Sequence, residues 1–287
     1  MPRQAYVNGR YLPHQAASVH IEDRGYQFAD GVYEVVPVAN GILVDEGLHL
    51  DRLERSLDEL SIPMPMSRQA IKLVSAELMR RNHLSNGFVY MQVTRGVAPR
   101  DHKFPNGVRP AIVMTTRQMA PPDPKRLAEG VSVITLPDIR WKRCDIKSVS
   151  LLPNILAKQQ AVEAGAYEAW MVDGEGRVTE GTSTNAWIVT KDNKLVTRDA
   201  SNAILNGITR ISLLRVAESQ GVELQERPFT VDEAHDAREA FLTSSTNFVL
   251  PVTRIDGKPV GNGHPGILTG KLREGYQAYV ESLKEPA

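Results

Sequence analysis

The sequence has one cysteine, no long apolar run and no excess of either charge. Cys144 alone cannot form an intramolecular disulfide, and no cysteine–histidine spacing typical of zinc sites accompanies it. Lys plus Arg and Asp plus Glu both total 34, so the overall charge favours neither nucleic acid nor an anionic membrane. No stretch approaches the ~20 apolar residues of a membrane span, and the N-terminus lacks a signal-peptide core. We therefore expect a cytoplasmic protein without nucleic-acid, membrane or metal partners.

The composition is that of an ordinary globular protein: of the 287 residues, 41% are hydrophobic and 24% are charged. This length suits one large domain or two modest ones. Asn-Gly pairs at Asn8 and Asn40 lie between β-prone residues and predict two hairpins. Leucines at 48, 50, 53, 57 and 60 follow a helical period, and a second helix is expected over 67–82. Strands are expected over 87–96 and 109–117, which alternate or run apolar.

The best domain boundary is Met119–Pro124, where three prolines in four residues cannot continue a helix or a central strand. It divides the chain into an N-terminal domain, 1–118, a linker, 119–124, and a C-terminal domain, 125–287. In the C-terminal part we expect helices over 154–165, 209–221 and 267–283, with strands mostly in hairpins between them. Hairpin strands with interspersed helices predict an α+β fold rather than regular βαβ units.

Two segments carry the most chemical information. Ile139–Ser148 places Lys147 after an apolar-flanked, strand-like run, and Val178–Asn185 places Glu180 in a turn rich in Gly, Ser and Thr. A pyridoxal phosphate enzyme requires such a set: an amine for the Schiff base, a carboxylate for the pyridine nitrogen, and hydroxyls for the phosphate. By local sequence alone, Lys147 is more often a solvated lysine and Glu180 a hairpin glutamate.

Seven segments, in this order along nearly the whole chain, resemble the fold type IV pyridoxal phosphate enzymes and, within them, the D-amino acid aminotransferases. They are EDRGYQFADGVYEV (22–35), HLDRL (49–53), TRGVAPRDHKFP (94–105), RCDIKS (143–148), VTEGTSTN (178–185), NGITR (206–210) and FLTSST (241–246). The resemblance implies a two-domain fold, with a small α/β N-terminal domain and a larger C-terminal pseudo-barrel domain that carries the Schiff-base lysine. The match departs slightly at Ala29, where glycine is more usual.

The resemblance also implies how pyridoxal 5'-phosphate is held. Lys147 forms the Schiff base and shuttles a proton, and Glu180 contacts the pyridine nitrogen. Without this context Arg52 is better interpreted as an exposed helix arginine, and Thr209 is as often a helix cap. The residues implied for the phosphate are Arg52, Ile208, Thr209, Ser244 and Ser245.

Substrate specificity is implied for Tyr33, Arg100 and His102, which trap the α-carboxylate of a D-amino acid in this family. Val35 and His49 are expected to line or support the pocket. Because the family supplies the arginine and histidine from the neighbouring subunit, an active homodimer is implied. Without the resemblance, Tyr33 would be interpreted as a core tyrosine, and Arg100 and His102 as solvated loop charges.

The implied reaction is ping-pong transamination between a D-amino acid, such as D-alanine, and a 2-oxo acid, such as 2-oxoglutarate. The alternatives in the same family are R-selective amine transaminases, branched-chain L-aminotransferases and aminodeoxychorismate lyases. The Arg100 and His102 pair favours D-amino acids, since simple amines have no carboxylate to trap. A non-catalytic protein that retains the fold is the alternative from another class. Cys144 is expected to be a bystander.

Overall fold

The computed structural model describes residues 3–120 and 122–283. Residues 1, 2, 121 and 284–287, which include one residue of the expected linker and the end of the expected C-terminal domain, lie outside the described residues. The chain forms two compact units, one with residues up to 120 plus Ile146–Ser150, the other with 122–145 plus 151–283. The segment around Lys147 groups with the first unit, not with the domain expected at 125–287. The reason is local pairing: the Tyr33 N–H donates to the Lys147 carbonyl (3.0 Å) and the Val149 N–H to the Gly31 carbonyl (3.0 Å).

The first unit contains a six-stranded antiparallel sheet in the order β2-β1-β6-β5-β3-β4. Both predicted hairpins are confirmed: Asn8-Gly9 and Asn40-Gly41 adopt positive φ, as two-residue primed turns require. The strands are β1 (Gln4–Val7), β2 (Arg10–Pro13), β3 (Gly31–Ala39), β4 (Ile42–Leu43), β5 (Gly87–Thr94) and β6 (Ala111–Gln118).

Three helices accompany this sheet: α1 (Arg24–Phe28), α2 (Glu46–Glu59) and α3 (Arg68–Arg81). The predictions of α2 and α3 are confirmed, and Leu50, Leu53 and Leu57 of α2 are fully buried. The short α1 was not predicted, because its five residues show no period. The residues at its two ends define this helix: the Asp23 side chain accepts from the Gly25 N–H (2.8 Å) at the start, and Ala29 ends it in a left-handed conformation.

The second unit contains a nine-stranded sheet in the order β12-β11-β10-β13-β14-β7-β8-β9, with β15 paired to β14. Because β9 passes directly into β10 through a tight turn at 182–184, the two ends of the sheet approach each other and the sheet curls into an incomplete barrel. This confirms the α+β class with a pseudo-barrel. The strands are β7 (Val131–Pro137), β8 (Glu168–Val172), β9 (Val178–Gly181), β10 (Asn185–Val189), β11 (Leu195–Thr197), β12 (Leu224–Glu226), β13 (Glu239–Ser244), β14 (Phe248–Ile255) and β15 (Lys258–Pro259).

The helices of this unit include the three that the sequence predicts, displaced by at most two residues at either end. An unpredicted helix begins at Pro124, the last residue of the expected linker, where Asp123 caps the Lys125 N–H (3.0 Å). No helix within 3–120 or 122–283 is long and apolar enough to cross a membrane. The helices are α4 (Pro124–Glu129), α5 (Leu152–Glu163), α6 (Ile208–Ser219), α7 (Val231–Asp236) and α8 (Ile267–Ser282).

The strand-like interpretation of Ile139–Ser148 is wrong. This segment consists of turns and bends, and only Ser148 makes an isolated bridge, to Val32. Its backbone groups instead bond to nearby side chains and loops: the Arg140 N–H donates to Asp138 (3.0 Å) and the Cys144 N–H to the Asn202 carbonyl (2.9 Å). Because the Asn202 carbonyl is distant in sequence, local alternation alone could not indicate this bond.

Candidate active site

The two faces of β3 have different roles. Side chains alternate along a strand, so Tyr33 and Val35 share one face with their cross-strand partners Gln92 and Tyr90. Tyr33 and Val35 are both half-buried, whereas Glu34 points to the other face and is fully buried. The strand therefore presents a tyrosine and a valine on an accessible surface while holding a carboxylate in the core.

Lys147 lies against the accessible face of β3. Its Nζ is 4.3 Å from the centroid of the Tyr33 ring, and that ring packs on Tyr90 at 5.8 Å. Its backbone N–H donates to the Ser56 hydroxyl of α2 (3.4 Å). Burial raises the pKa of Tyr90 to about 12, so this neighbour remains a neutral phenol. The half-buried Lys147 Nζ thus lies over an aromatic face, in a position to contact a group bound there.

Behind this face, Glu34 binds two residues of α2. Its carboxylate accepts from Nε and Nη2 of Arg52, both at 2.8 Å, and pairs with Nδ1 of His49 at 2.7 Å. Burial alone would raise the pKa of Glu34, but Arg52 and His49 outweigh it and lower the pKa to about 2. Burial lowers the pKa of His49 although Glu34 opposes this effect. Arg52 is therefore a buried arginine of fixed orientation, not an exposed helix arginine.

Arg100 and His102 lie in the same unit, in the segment between β5 and β6. The Arg100 guanidinium stacks over the Phe28 ring at 4.5 Å, and the His102 ring lies 5.5 Å from the same ring. Within residues 3–120 and 122–283, neither side chain has a hydrogen-bond or ion-pair partner. Both are exposed, so their polar atoms are available to a ligand.

In the second unit, the Glu180 carboxylate is held from several sides. Arg140 Nη1 lies 2.5 Å from Oε1, Asn185 Nδ2 donates to Oε2 (3.1 Å), and the Leu205 N–H donates at 3.1 Å. Arg140 also pairs with Asp138 at 2.7 Å. Although burial opposes it, pairing with Asp138 and Glu180 raises the pKa of Arg140, which therefore remains charged. The carboxylate is consequently oriented, 6% exposed and next to a permanent cation.

The N-terminus of α6 adjoins this carboxylate. The N-cap residue is Gly207, which has no side chain to accept a hydrogen bond. The first N–H groups of the helix, at Ile208 and Thr209, therefore receive no side-chain cap from this residue. Asn185 Nδ2 also donates to the Leu205 carbonyl (2.9 Å). The Asn185 Oδ1 lies so close to Gly207 that a Cβ added there would be 2.2 Å from it. Asn185 thus joins the Glu180 carboxylate to a helix end suited to an anion.

The serine-rich turn follows β13, whose Thr243 pairs with Asn185 of β10. The Ser244 hydroxyl accepts from the Asn247 N–H (3.1 Å) and lies 3.3 Å from the Thr246 hydroxyl. Ser244 and Ser245 are both half-buried. Strand pairing therefore brings this hydroxyl-rich turn to the same end of the barrel as Asn185.

Sequence reasoning missed three residues that organise these groups: Glu34, Arg140 and Asn185. Glu34 could have been found as the only charged residue in an apolar strand, and Asn185 lies at the end of a motif already singled out. Arg140 gives no local signal. Cys144, expected to be a bystander, has a pKa raised to about 11 by burial, so its thiol is not a nucleophile near neutral pH.

The donor set fits a phosphorylated aromatic cofactor with a basic ring nitrogen. An uncapped helix end and a hydroxyl turn suit a phosphate, and a buried carboxylate paired with an arginine suits a protonated nitrogen. Asn185, whose side chain bonds to Glu180 and abuts Gly207, links these groups within one unit. In the other unit, the Lys147 Nζ lies over the Tyr33 ring, and an amine is a further group that such a cofactor uses.

Comparison with known proteins agrees with this inference. The family described as amino-transferase class IV matches residues 31–255. The D-alanine aminotransferase of Bacillus licheniformis is 44% identical over 270 residues, 94% of each chain. That of Staphylococcus aureus (strain MSSA476) is 42% identical over 278 residues, 96% of this chain and 98% of the relative. The chain therefore belongs to the class IV aminotransferase family.

A solved structure shows the same fold. The branched-chain amino acid aminotransferase of Escherichia coli superimposes with a TM-score of 0.91 at 20% identity, covering 99% of this chain and 97% of that one. A second branched-chain amino acid aminotransferase, crystallised with pyridoxamine 5'-phosphate, superimposes with a TM-score of 0.91 at 24% identity, covering 100% of this chain and 96% of that one. This likeness confirms the fold type IV architecture expected from the motifs.

Proposed function

We propose that the protein is a pyridoxal phosphate-dependent aminotransferase that transfers an amino group between a D-amino acid, such as D-alanine, and a 2-oxo acid, such as 2-oxoglutarate. The observation that carries the proposal is 44% identity, over 94% of both chains, with a protein named D-alanine aminotransferase. The physical support is the exposed Arg100 and His102 pair, which suits a carboxylate.

Pyridoxal phosphate, when bound, withdraws electrons from the substrate Cα and carries the amino group between the two substrates. Nζ of Lys147 attaches the cofactor and moves a proton at the substrate Cα. Glu180 would contact the ring nitrogen, and Arg140 and Asn185 orient the Glu180 carboxylate, with Arg140 supplying the opposite charge. Removing either partner would weaken this effect without removing the carboxylate.

The phosphate is assigned to the uncapped N–H groups of Ile208 and Thr209, the Thr209 hydroxyl, and the hydroxyls of Ser244 and Ser245. Arg52 adds positive charge, and Glu34 fixes its orientation by accepting from Nε and Nη2. Neutral and charged donors together suit a dianion better than a lone arginine does.

The substrate is assigned to the accessible face of β3, where Tyr33 supplies a hydroxyl and Val35 an apolar contact. His49 acts through Glu34 rather than at the substrate, because it is buried and its Nδ1 is bonded to that carboxylate. We propose that Arg100 and His102 complete the site of the neighbouring subunit, so that a homodimer is the active form.

Steady-state turnover tests the proposal. Purified protein loaded with pyridoxal phosphate is given 2-oxoglutarate with D-alanine, L-leucine or R-1-phenylethylamine, and glutamate is measured. Turnover with D-alanine but not the others supports the proposal. Turnover with L-leucine alone would favour a branched-chain enzyme, and turnover with the amine alone an amine transaminase. Cofactor binding without turnover, but with release of pyruvate from aminodeoxychorismate, would favour a lyase.

A further inference from the structure

The first helix and the loop that carries Arg100 and His102 meet at one aromatic ring. Phe28, the last residue of α1, is 4.7 Å from the Arg24 guanidinium, 4.5 Å from that of Arg100, and 5.5 Å from the His102 ring. Phe28 therefore contacts both residues assigned to the substrate carboxylate. It lies in the EDRGYQFADG motif, most of which has no role in the site described above.

Arg24 fixes both this ring and the loop. Its Nε donates to Oδ2 of Asp30 (2.8 Å), and its Nη1 donates to the backbone carbonyl of Asp101 (2.6 Å). Asp101 is the residue between Arg100 and His102, so the bond holds the loop backbone at its functional centre. Arg24 is only 3% exposed, which makes this link rigid compared with a surface contact.

Asp30 connects this link to a second anchor. Its carboxylate also accepts from Nε and Nη2 of Arg95, at 2.8 and 3.0 Å. The Arg95 guanidinium stacks on Phe104 at 3.6 Å and bonds to the Leu60 and Ser61 carbonyls at the end of α2. The loop is thus held on both sides of His102, at Asp101 and at Phe104.

The way in which Arg100 is held suits recognition of a carboxylate. The Arg100 guanidinium lies over the Phe28 ring, and a guanidinium held by a ring still has N–H groups available for a bidentate contact. Free in solution, a long arginine side chain would lose rotamer freedom when it bound the carboxylate, which would weaken binding. Stacking on Phe28 removes part of that freedom beforehand.

We propose that Phe28, fixed by Arg24 and Asp30, is a positioning residue that orients Arg100 and His102 for the carboxylate of the substrate. The inference rests on the proposed function. It assigns the EDRGYQFADG motif a part in substrate selection, distinct from the face of β3 that follows it.

The test compares Phe28→Leu with the wild type as cofactor-loaded protein. We expect KM for D-alanine to rise about fivefold with kcat changed less than about twofold, since a positioned ground-state contact is lost. Hydrogen exchange of the amides in 97–107 should accelerate, because one anchor of the loop is removed. Tyr11→Leu is the matched control: it removes the stacked partner of Arg81 (4.2 Å) in the same unit and should leave both readouts unchanged.

Asp30→Asn is a second variant that leaves the ring in place and weakens the ion pairs; it should change KM and exchange in the same direction. Unchanged KM in both variants would overturn the inference, whether or not exchange accelerates. Failure of the wild type to consume D-alanine would instead refute the proposed function. The two failures are therefore distinguishable.

Discussion

Arg140 lies 2.5 Å from the Glu180 carboxylate and, through its other nitrogens, also binds Asp138. One arginine thus pairs with a buried and a partly buried carboxylate, so the electrostatic surroundings and orientation of Glu180 depend on a residue forty positions earlier. The electrostatics of the candidate cofactor site are in this sense set by a segment that shows no regular structure.

Arg140→Gln should destabilise the protein by about 3–5 kcal/mol, because it leaves Asp138 and Glu180 buried without a cation. The measurement is urea unfolding at neutral pH. Arg227→Gln is the control: its pair with Glu233 is partly exposed, so it should cost at most about 1 kcal/mol. Equal losses in the two variants would contradict the special position of Arg140.

Stability should fall with acid in two stages. The pKa of His49 is lowered in the folded protein, so protons favour the unfolded chain once pH drops below about 6.5. The pKa of Glu34 is about 2 in the folded protein, so its stabilisation is complete above its ordinary pKa and is lost as pH falls towards 2. Urea unfolding between pH 7 and pH 3 measures both stages.

Glu34→Gln should be less stable than the wild type at pH 7 and show a flatter pH dependence below about pH 4.5, since the group that titrates there is gone. A wild-type stability that is constant from pH 7 to pH 3 would contradict the Glu34, His49 and Arg52 arrangement.

Gly207→Ala should weaken pyridoxal phosphate binding by about tenfold or more, equivalent to ~1.4 kcal/mol. Its Cβ would lie 2.2 Å from the Asn185 Oδ1, so Asn185 or the start of α6 must move. Absorbance titration with the cofactor measures the affinity. Gly270→Ala, in α8 with nothing within 4 Å of the added Cβ, should leave cofactor affinity unchanged.

Lys147→Ala should abolish covalent retention of the cofactor after borohydride reduction, as judged by the mass of the denatured chain. Lys142, five residues earlier and exposed, provides the control, and Lys142→Ala should retain the added mass. Retention by Lys147→Ala would show that another amine attaches the cofactor.

Local features of this fold could be predicted from the sequence. Asn8-Gly9 and Asn40-Gly41 specify hairpins because positive φ is a property of those residues, and the buried leucines of α2 follow the helical period. The surrounding motifs indicate Lys147 and Glu180, whose roles stay predictions.

Non-local features could not be predicted. Glu34 contacts His49 and Arg52 only when α2 packs on β3. The segment before Lys147 is not a strand, and its Cys144 N–H bonds to the Asn202 carbonyl, which is distant in sequence. Helix α1 is too short to show a period and is set by its caps. Such features depend on tertiary packing, which overrides local preference.

The proposed reaction takes an amino group from D-amino acids. The most direct measurement mixes cofactor-loaded protein with D-alanine or L-alanine, without a 2-oxo acid, and follows the visible absorption of the bound cofactor. We expect rapid loss of this band with D-alanine only, and pyruvate in an amount equal to the bound cofactor. Loss with L-alanine only, or with neither enantiomer, would contradict the claim.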